Sequence, residues 1–139
     1  MSARRKARKR ALDVLFSADV REIDLGVALE EAVANASLHP ERESSWPYAR
    51  QMVEGFLEHW DEVDELIRSH STSWPLERMP AVDRAVARLG AWEIYYNPEV
   101  PAAVSISEAV ELVGELSTEA SAGFVHGLLA SIAQGAPKP

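Results

Sequence analysis

No segment of this 139-residue chain alternates apolar and polar residues with period two over the length of a strand. Apolar residues instead return every three or four positions from end to end. A chain patterned this way buries its side chains by packing helix on helix, so the expected fold class is all-α. Leu25, Ala28, Leu29, Ala32, Val33 and Ala36 make one stripe behind a capping residue at Asp24. Ser45 and Pro47 mark a helix start. Ala49, Met52, Val53, Phe56, Trp60, Val63 and Ile67 follow as a stripe that Gly55 and the acids after it kink or split. "SHSTSWPLERMP" reads as a linker.

A further helix runs through Val82, Ala85, Val86, Leu89, Trp92 or Glu93, and Tyr96, and is stopped by Pro98 and Pro101. Ser105 and Glu108 read as an S-x-x-E capping box opening Ile106, Ala109, Val110, Val113 and Leu116. Ser121, Val125, Leu128, Leu129 and Ile132 form the last stripe, and residues 133–139 read as a flexible tail. The expectation is one compact domain over residues 1–139, made of six to seven helices. Leu15, Phe56, Trp60, Val86, Leu89, Val110, Val113, Leu128 and Leu129 are its expected core.

Few kinds of chemistry fit this sequence. The absence of cysteine removes disulfides, thiol catalysis and cysteine zinc sites, and suits a reducing, cytoplasmic setting. The seven glycines form neither a dinucleotide fingerprint nor a phosphate loop. His39, His59, His70 and His126 never fall four apart, as a helical metal site would need. Glu58, Asp61, Glu62, Asp64 and Glu65 lie opposite the Trp60/Val63/Ile67 stripe, where a solvated helix face explains them. No catalytic residue, metal or cofactor is expected, and no apolar run reaches the roughly 18–20 residues of a membrane span. A signal peptide is excluded by Asp13, Asp19 and Arg21, which interrupt the apolar stretch after the basic start.

Charge is distributed unevenly. Residues 1–10 hold Arg4, Arg5, Lys6, Arg8, Lys9 and Arg10 and no acid, while the rest of the chain carries eight basic and twenty-two acidic residues. A helix beginning near Ala3 puts Arg4, Arg8, Ala11, Leu15 and Ala18 on one side, so the apolar stripe continues N-terminally as a cationic one. Cations in a first helical turn oppose the helix dipole by up to ~1 kcal/mol each, so helix stability is not their purpose. They suit an anion, and arginine forks suit phosphates. Nucleic acid is the favoured ligand class. A solubilising tail or a membrane-surface helix are the alternatives, the latter disfavoured by the acidic body.

"ARKRALDVLF", "MPAVDRAVARLGAWEI", "VPAAVSISEAVELVGELST" and "SAGFVHGLL" stand in an order and spacing that resembles the NusB family of bacterial transcription antitermination factors, over about residues 3–132. The resemblance implies two packed helical bundles, no catalysis, and binding of single-stranded boxA RNA in ribosomal RNA leader transcripts. It implies the ribosomal protein NusE as partner, with other Nus factors and RNA polymerase engaged indirectly. Carried onto this chain, it assigns RNA contact to Arg4, Arg5, Arg8, Arg10, Phe16, Gly123 and Phe124, and a NusE-facing surface to Asp83, Glu93 and Glu108. Cationic tracks with aromatic faces are how proteins hold single-stranded RNA. Gly123 and Gly127, four apart, admit a close neighbour, either a packed helix or an RNA backbone.

The sequence departs from the family pattern at His126 and Ser107, where asparagine is usual, and at Leu116, where many members carry an aromatic. Two other readings stand beside this one: an acidic helical adaptor that binds a basic protein without RNA, and an RNA-binding domain related to those of ribosomal RNA methyltransferases. Apolar residues left on the first helix would also suit a homodimer.

Overall fold

The structure, a computed structural model, describes residues 2–137. It holds seven α-helices and, among the described residues, no strand. These are α1 (Ala3–Arg21), α2 (Leu25–Ala36), α3 (Trp46–Glu58), α4 (Trp60–His70), α5 (Ala81–Tyr96), α6 (Ala102–Leu116) and α7 (Glu119–Gln134), with short 3-10 turns at Pro40–Ser45 and Leu76–Arg78. Helices α1 to α3 pack together, α4 to α7 pack together, and α5 joins the two groups by touching α1 and α3 as well. This is the arrangement of two small bundles in one domain.

Helix α5 is the axis of the molecule. Ala85, Val86, Ala87, Leu89, Gly90, Ala91, Trp92, Glu93 and Ile94 are all buried, so it is apolar around most of its circumference rather than along one stripe. Small residues let its neighbours come close. A Cβ at Gly55 of α3 would sit 2.3 Å from the Trp92 indole, so only glycine lets that ring lie against the α3 backbone. Gly55 therefore does not kink the helix; the break comes at His59, between α3 and α4.

Several expectations about ends and faces are corrected. Asp24 caps α2 as expected, its carboxylate accepting from Val27 N at 3.2 Å. Ser45 makes no capping bond; its hydroxyl accepts instead from Arg10 Nε at 3.0 Å. Helix α6 starts at Ala102, immediately after Pro101, which leaves Ser105 buried at the end of the first turn and Glu108 free to pair elsewhere. That shifts the buried face to Ser105, Ala109, Leu112 and Val113, with Val110 half-buried and Leu116 44% exposed. Trp60 is half-buried too, because its indole N–H donates to Asp64 at 3.1 Å near the surface. Asp64 leaves the solvated acidic face to pair with Arg88 through two bonds of 2.9 and 3.0 Å. The tail begins later than residue 133: α7 runs to Gln134, and Tyr95 donates its hydroxyl to the Gly135 carbonyl at 2.9 Å. Residues 138 and 139 lie outside the described residues, as does Met1.

Candidate nucleic-acid interface

The basic run is the first half of α1, not a loose tail. Ser2 caps it, its hydroxyl accepting from Arg5 N at 3.1 Å, and no acid stands in the first turn to offset six nearby cations. The helix leans its Ala7/Ala11/Leu15/Ala18 face on the core. Arg8 lies on that face and is carried inside, only 6% exposed. There its Nε and Nη2 meet the Glu93 carboxylate at 3.1 to 3.2 Å. Tyr48 of α3 donates its hydroxyl to the same carboxylate and accepts from Asn97 Nδ2 at 2.9 Å. Burial, then the charge of Glu93 and the bond to it, push the Tyr48 phenol far above its ordinary value. Arg8 is thus satisfied internally and offers no fork to a phosphate. Glu93 is 1% exposed and offers no surface to a partner.

The other arm cations stay at the surface. Arg4 reaches Glu99 at 3.3 Å and rests 4.6 Å over the Tyr48 ring. Arg5 grips Glu108 at 2.9 Å and also bonds Glu111, while Lys9 sits 3.7 Å from Glu115. The hydrogen bond that Arg5 donates to Glu108, with the charges of Glu108, Glu111 and Glu115 behind it, raises the Arg5 guanidinium further. Glu108, Glu111 and Glu115 form one ladder along α6, so two sets of residues expected to serve different ligands lie against each other. Exposed pairs of this kind are screened by water and salt and hold weakly.

The remaining sites lie elsewhere. Phe16 is half-exposed further along α1. Phe124 is half-buried, its ring 5.6 Å from that of Trp74 in an edge-on contact. Gly123, Phe124 and Gly127 line a groove with His70, Ser71 and Ser131, between the end of α4 and α7. A Cβ at Gly123 or Gly127 would meet nothing within 4 Å. These glycines therefore do not serve helix packing; they leave bare backbone on an open face. His126, Ser107 and Leu116 are all exposed. Asp83, in the first turn of α5, is 0% exposed and its two oxygens have no hydrogen-bond partner among the described residues. It lies too deep to form a docking surface, and it stands in the first turn of α5, where the helix dipole favours a carboxylate.

Sequence reasoning missed the buried set of Arg8, Tyr48, Glu93 and Asn97. The available signal was the placement of Arg8 on the same helix stripe as Ala11 and Leu15. Among the described residues, no group of three or more His, Asp or Glu side chains is placed to hold a metal, and no helix is long and apolar enough to cross a membrane.

The model of the NusB family matches residues 5–134. The chain belongs to the NusB family. It is 56% identical over 138 residues to the "Transcription antitermination protein NusB" of Leifsonia xyli subsp. xyli, covering 99% of this chain and 96% of that one. Among solved structures, NusB from T. maritima matches with a TM-score of 0.84 at 32% identity, over 98% of this chain and 94% of that chain. A structure described as antitermination factors NusB and NusE in complex with dsRNA matches with a TM-score of 0.82 at 27% identity, over 96% and 98% of the two chains. The NusB fold and family, and with them a place among transcription antitermination factors, are thereby shown for this chain.

Proposed function

We propose that this protein binds boxA-type single-stranded RNA of ribosomal RNA leader transcripts together with NusE. Through other Nus factors the pair helps RNA polymerase read through terminators, in the cytoplasm and without catalysing a reaction. The observation that carries this reading is the cluster of Arg4, Arg5, Lys6, Lys9 and Arg10, none of them buried, in the first turns of a helix whose own N-terminal dipole adds to their charge. A family neighbour of known structure, described as NusB and NusE in complex with dsRNA, supports NusE as partner and RNA as ligand class. Arg4, Arg5 and Arg10 take phosphates in exchange for Glu99, Glu108, Glu111 and Ser45. Phe16 and Phe124 offer faces to bases, and Gly123 leaves room beside Phe124 for a strand to approach. The Glu108 end of α6, with Glu111 and Glu115, suits a basic protein such as NusE.

Neutralisation of the arm by these glutamates favours a second reading, an acidic adaptor that binds NusE alone. Fluorescence anisotropy with labelled boxA RNA, with and without NusE, separates the two. RNA binding should appear at low salt, tighten with NusE and fall with a log–log salt slope of about −0.7 per phosphate held. NusE binding with no RNA affinity at low salt would leave the adaptor.

A further inference from the structure

Arg4 and Arg8 stand one turn apart on α1, and both guanidiniums lie over the ring of Tyr48 on α3, 4.6 and 5.8 Å from its centre. Their fates differ. Arg8 is closed in by Glu93, whereas the Arg4 side chain is 43% exposed and pairs with Glu99, itself 74% exposed. The ring beneath Arg4 is fixed in place. Tyr48 is buried, and its hydroxyl donates to Glu93 and accepts from Asn97 Nδ2 at 2.9 Å. Asn97 Oδ1 in turn accepts from Glu99 N at 3.0 Å, so one buried amide ties the ring to the turn that carries Glu99.

The two contacts of Arg4 differ in kind. The ring attracts the cation through its π face and takes no hydrogen bond, while Glu99 occupies a donor, Nη2, at 3.3 Å. A phosphate needs such donors, so it competes with Glu99 and not with the ring. The Glu99 pair is exposed and weak, and losing it leaves Arg4 still resting on Tyr48. An arginine loose in solvent gives up rotamer freedom when it binds; one already resting on a fixed ring has lost part of it beforehand. The side-chain contacts of Arg5 and Lys9 are with carboxylates of α6, which a phosphate displaces.

We propose that Tyr48 is a positioning residue for RNA binding. Its ring, anchored through Glu93 and Asn97, holds Arg4 ready to take a phosphate, and touches no RNA itself. The inference rests on the RNA-binding reading above and adds to it a buried support that sets the geometry of the arm.

Anisotropy with labelled boxA-type RNA at low salt tests this, on variants of the full chain that melts show to be folded at the working temperature. Tyr48→Leu, which removes the ring, should bind RNA roughly two- to fivefold more weakly. Tyr48→Phe, which returns the ring without its hydroxyl, should recover most of that loss while its stability stays below wild type. In an Arg4→Gln background Tyr48→Leu should cost nothing further, because the side chain that the ring holds is gone. Should Tyr48→Leu not fold, proton NMR of the wild-type chain decides. Overhauser contacts between the Arg4 side chain and the Tyr48 ring should be present without RNA and persist at RNA saturation. If Tyr48→Leu binds as wild type, or loses the same factor in both backgrounds, or those contacts are missing from either state, the inference falls while the RNA-binding reading stands. If the wild-type chain binds no RNA at low salt, the RNA-binding reading falls and the role of Tyr48 with it.

Discussion

Arg8 and Glu93 form a buried ion pair across the boundary between the two helical groups, with the carboxylate gripped by both Nε and Nη2 of the guanidinium. At 7% and 1% side-chain exposure, neither group has water to fall back on. The pair makes α1 and α5 interdependent, and it turns a residue of the basic run into part of the scaffold that positions the rest.

Removing one partner strands the other. Arg8→Ala should cost about 3–5 kcal/mol by leaving Glu93 buried and uncompensated, which corresponds to a fall in Tm of roughly 10–20 °C. Arg8→Met combined with Glu93→Met should recover part of that loss. Calorimetric melts check both, and an Arg8→Ala protein that melts with the wild type would show that the pair holds nothing together.

Tyr48 makes stability sensitive to alkali. Its folded-state pKa is raised above the unfolded value near 10. The neutral phenol therefore favours the fold fully below pH 10, and its contribution is lost as pH rises from there towards the folded value. Urea melts between pH 8 and pH 11 should show stability falling by up to about 1.4 kcal/mol per pH unit above pH 10 from this group. Tyr48→Phe should begin about 1–3 kcal/mol less stable at pH 8, through lost hydrogen bonds, and decline less steeply above pH 10.

Gly55→Ala places a methyl group in the plane of contact with the Trp92 ring, 2.3 Å from its nearest atoms. An indole wedged in the core cannot swing aside, so overpacking of about 1–3 kcal/mol outweighs the gain in helix propensity. A denaturant midpoint unchanged from wild type would contradict this packing.

On the proposed function, the α6 ladder and RNA compete for the arm. Glu111→Gln with Glu115→Gln should raise affinity for boxA RNA at low salt by freeing Lys9 and leaving Arg5 only its pair with Glu108, with little change in Tm because both lost pairs are exposed. Arg4→Gln with Arg5→Gln should weaken every RNA alike and reduce the salt slope by about 1.4, two phosphates' worth. Anisotropy titrations across a salt series check both pairs. A tighter complex that keeps its slope after the arginine changes would remove the arm from the interface.

How far the sequence carried can be judged at particular residues. The stripes Ala11/Leu15/Ala18 and Ser121/Val125/Leu128/Leu129/Ile132 are buried as their period predicts, because one face of each helix meets the core. Helix α5 exceeds its pattern, since its burial comes from neighbours on every side, and no local window reports that. Glu93 and Asp83 look like surface charges in sequence. The partners that make Glu93 an interior residue lie 85 and 45 positions away. Arg8 was legible in principle, as its place on the apolar stripe counted for more than its charge. The capping box failed for a local reason: Pro101 started the helix three residues before Ser105, so the hydroxyl that should have capped it was already inside.

The long separations within the arm's ion pairs also impose an order on synthesis. Arg8 is made 85 residues before Glu93, Arg4 95 before Glu99 and Arg5 103 before Glu108. At about 5–20 residues per second, the polycation is translated roughly 4–20 s ahead of the acids that neutralise it. A nascent chain therefore carries a bare cationic segment in an RNA-rich environment, and its last helices are what quench it.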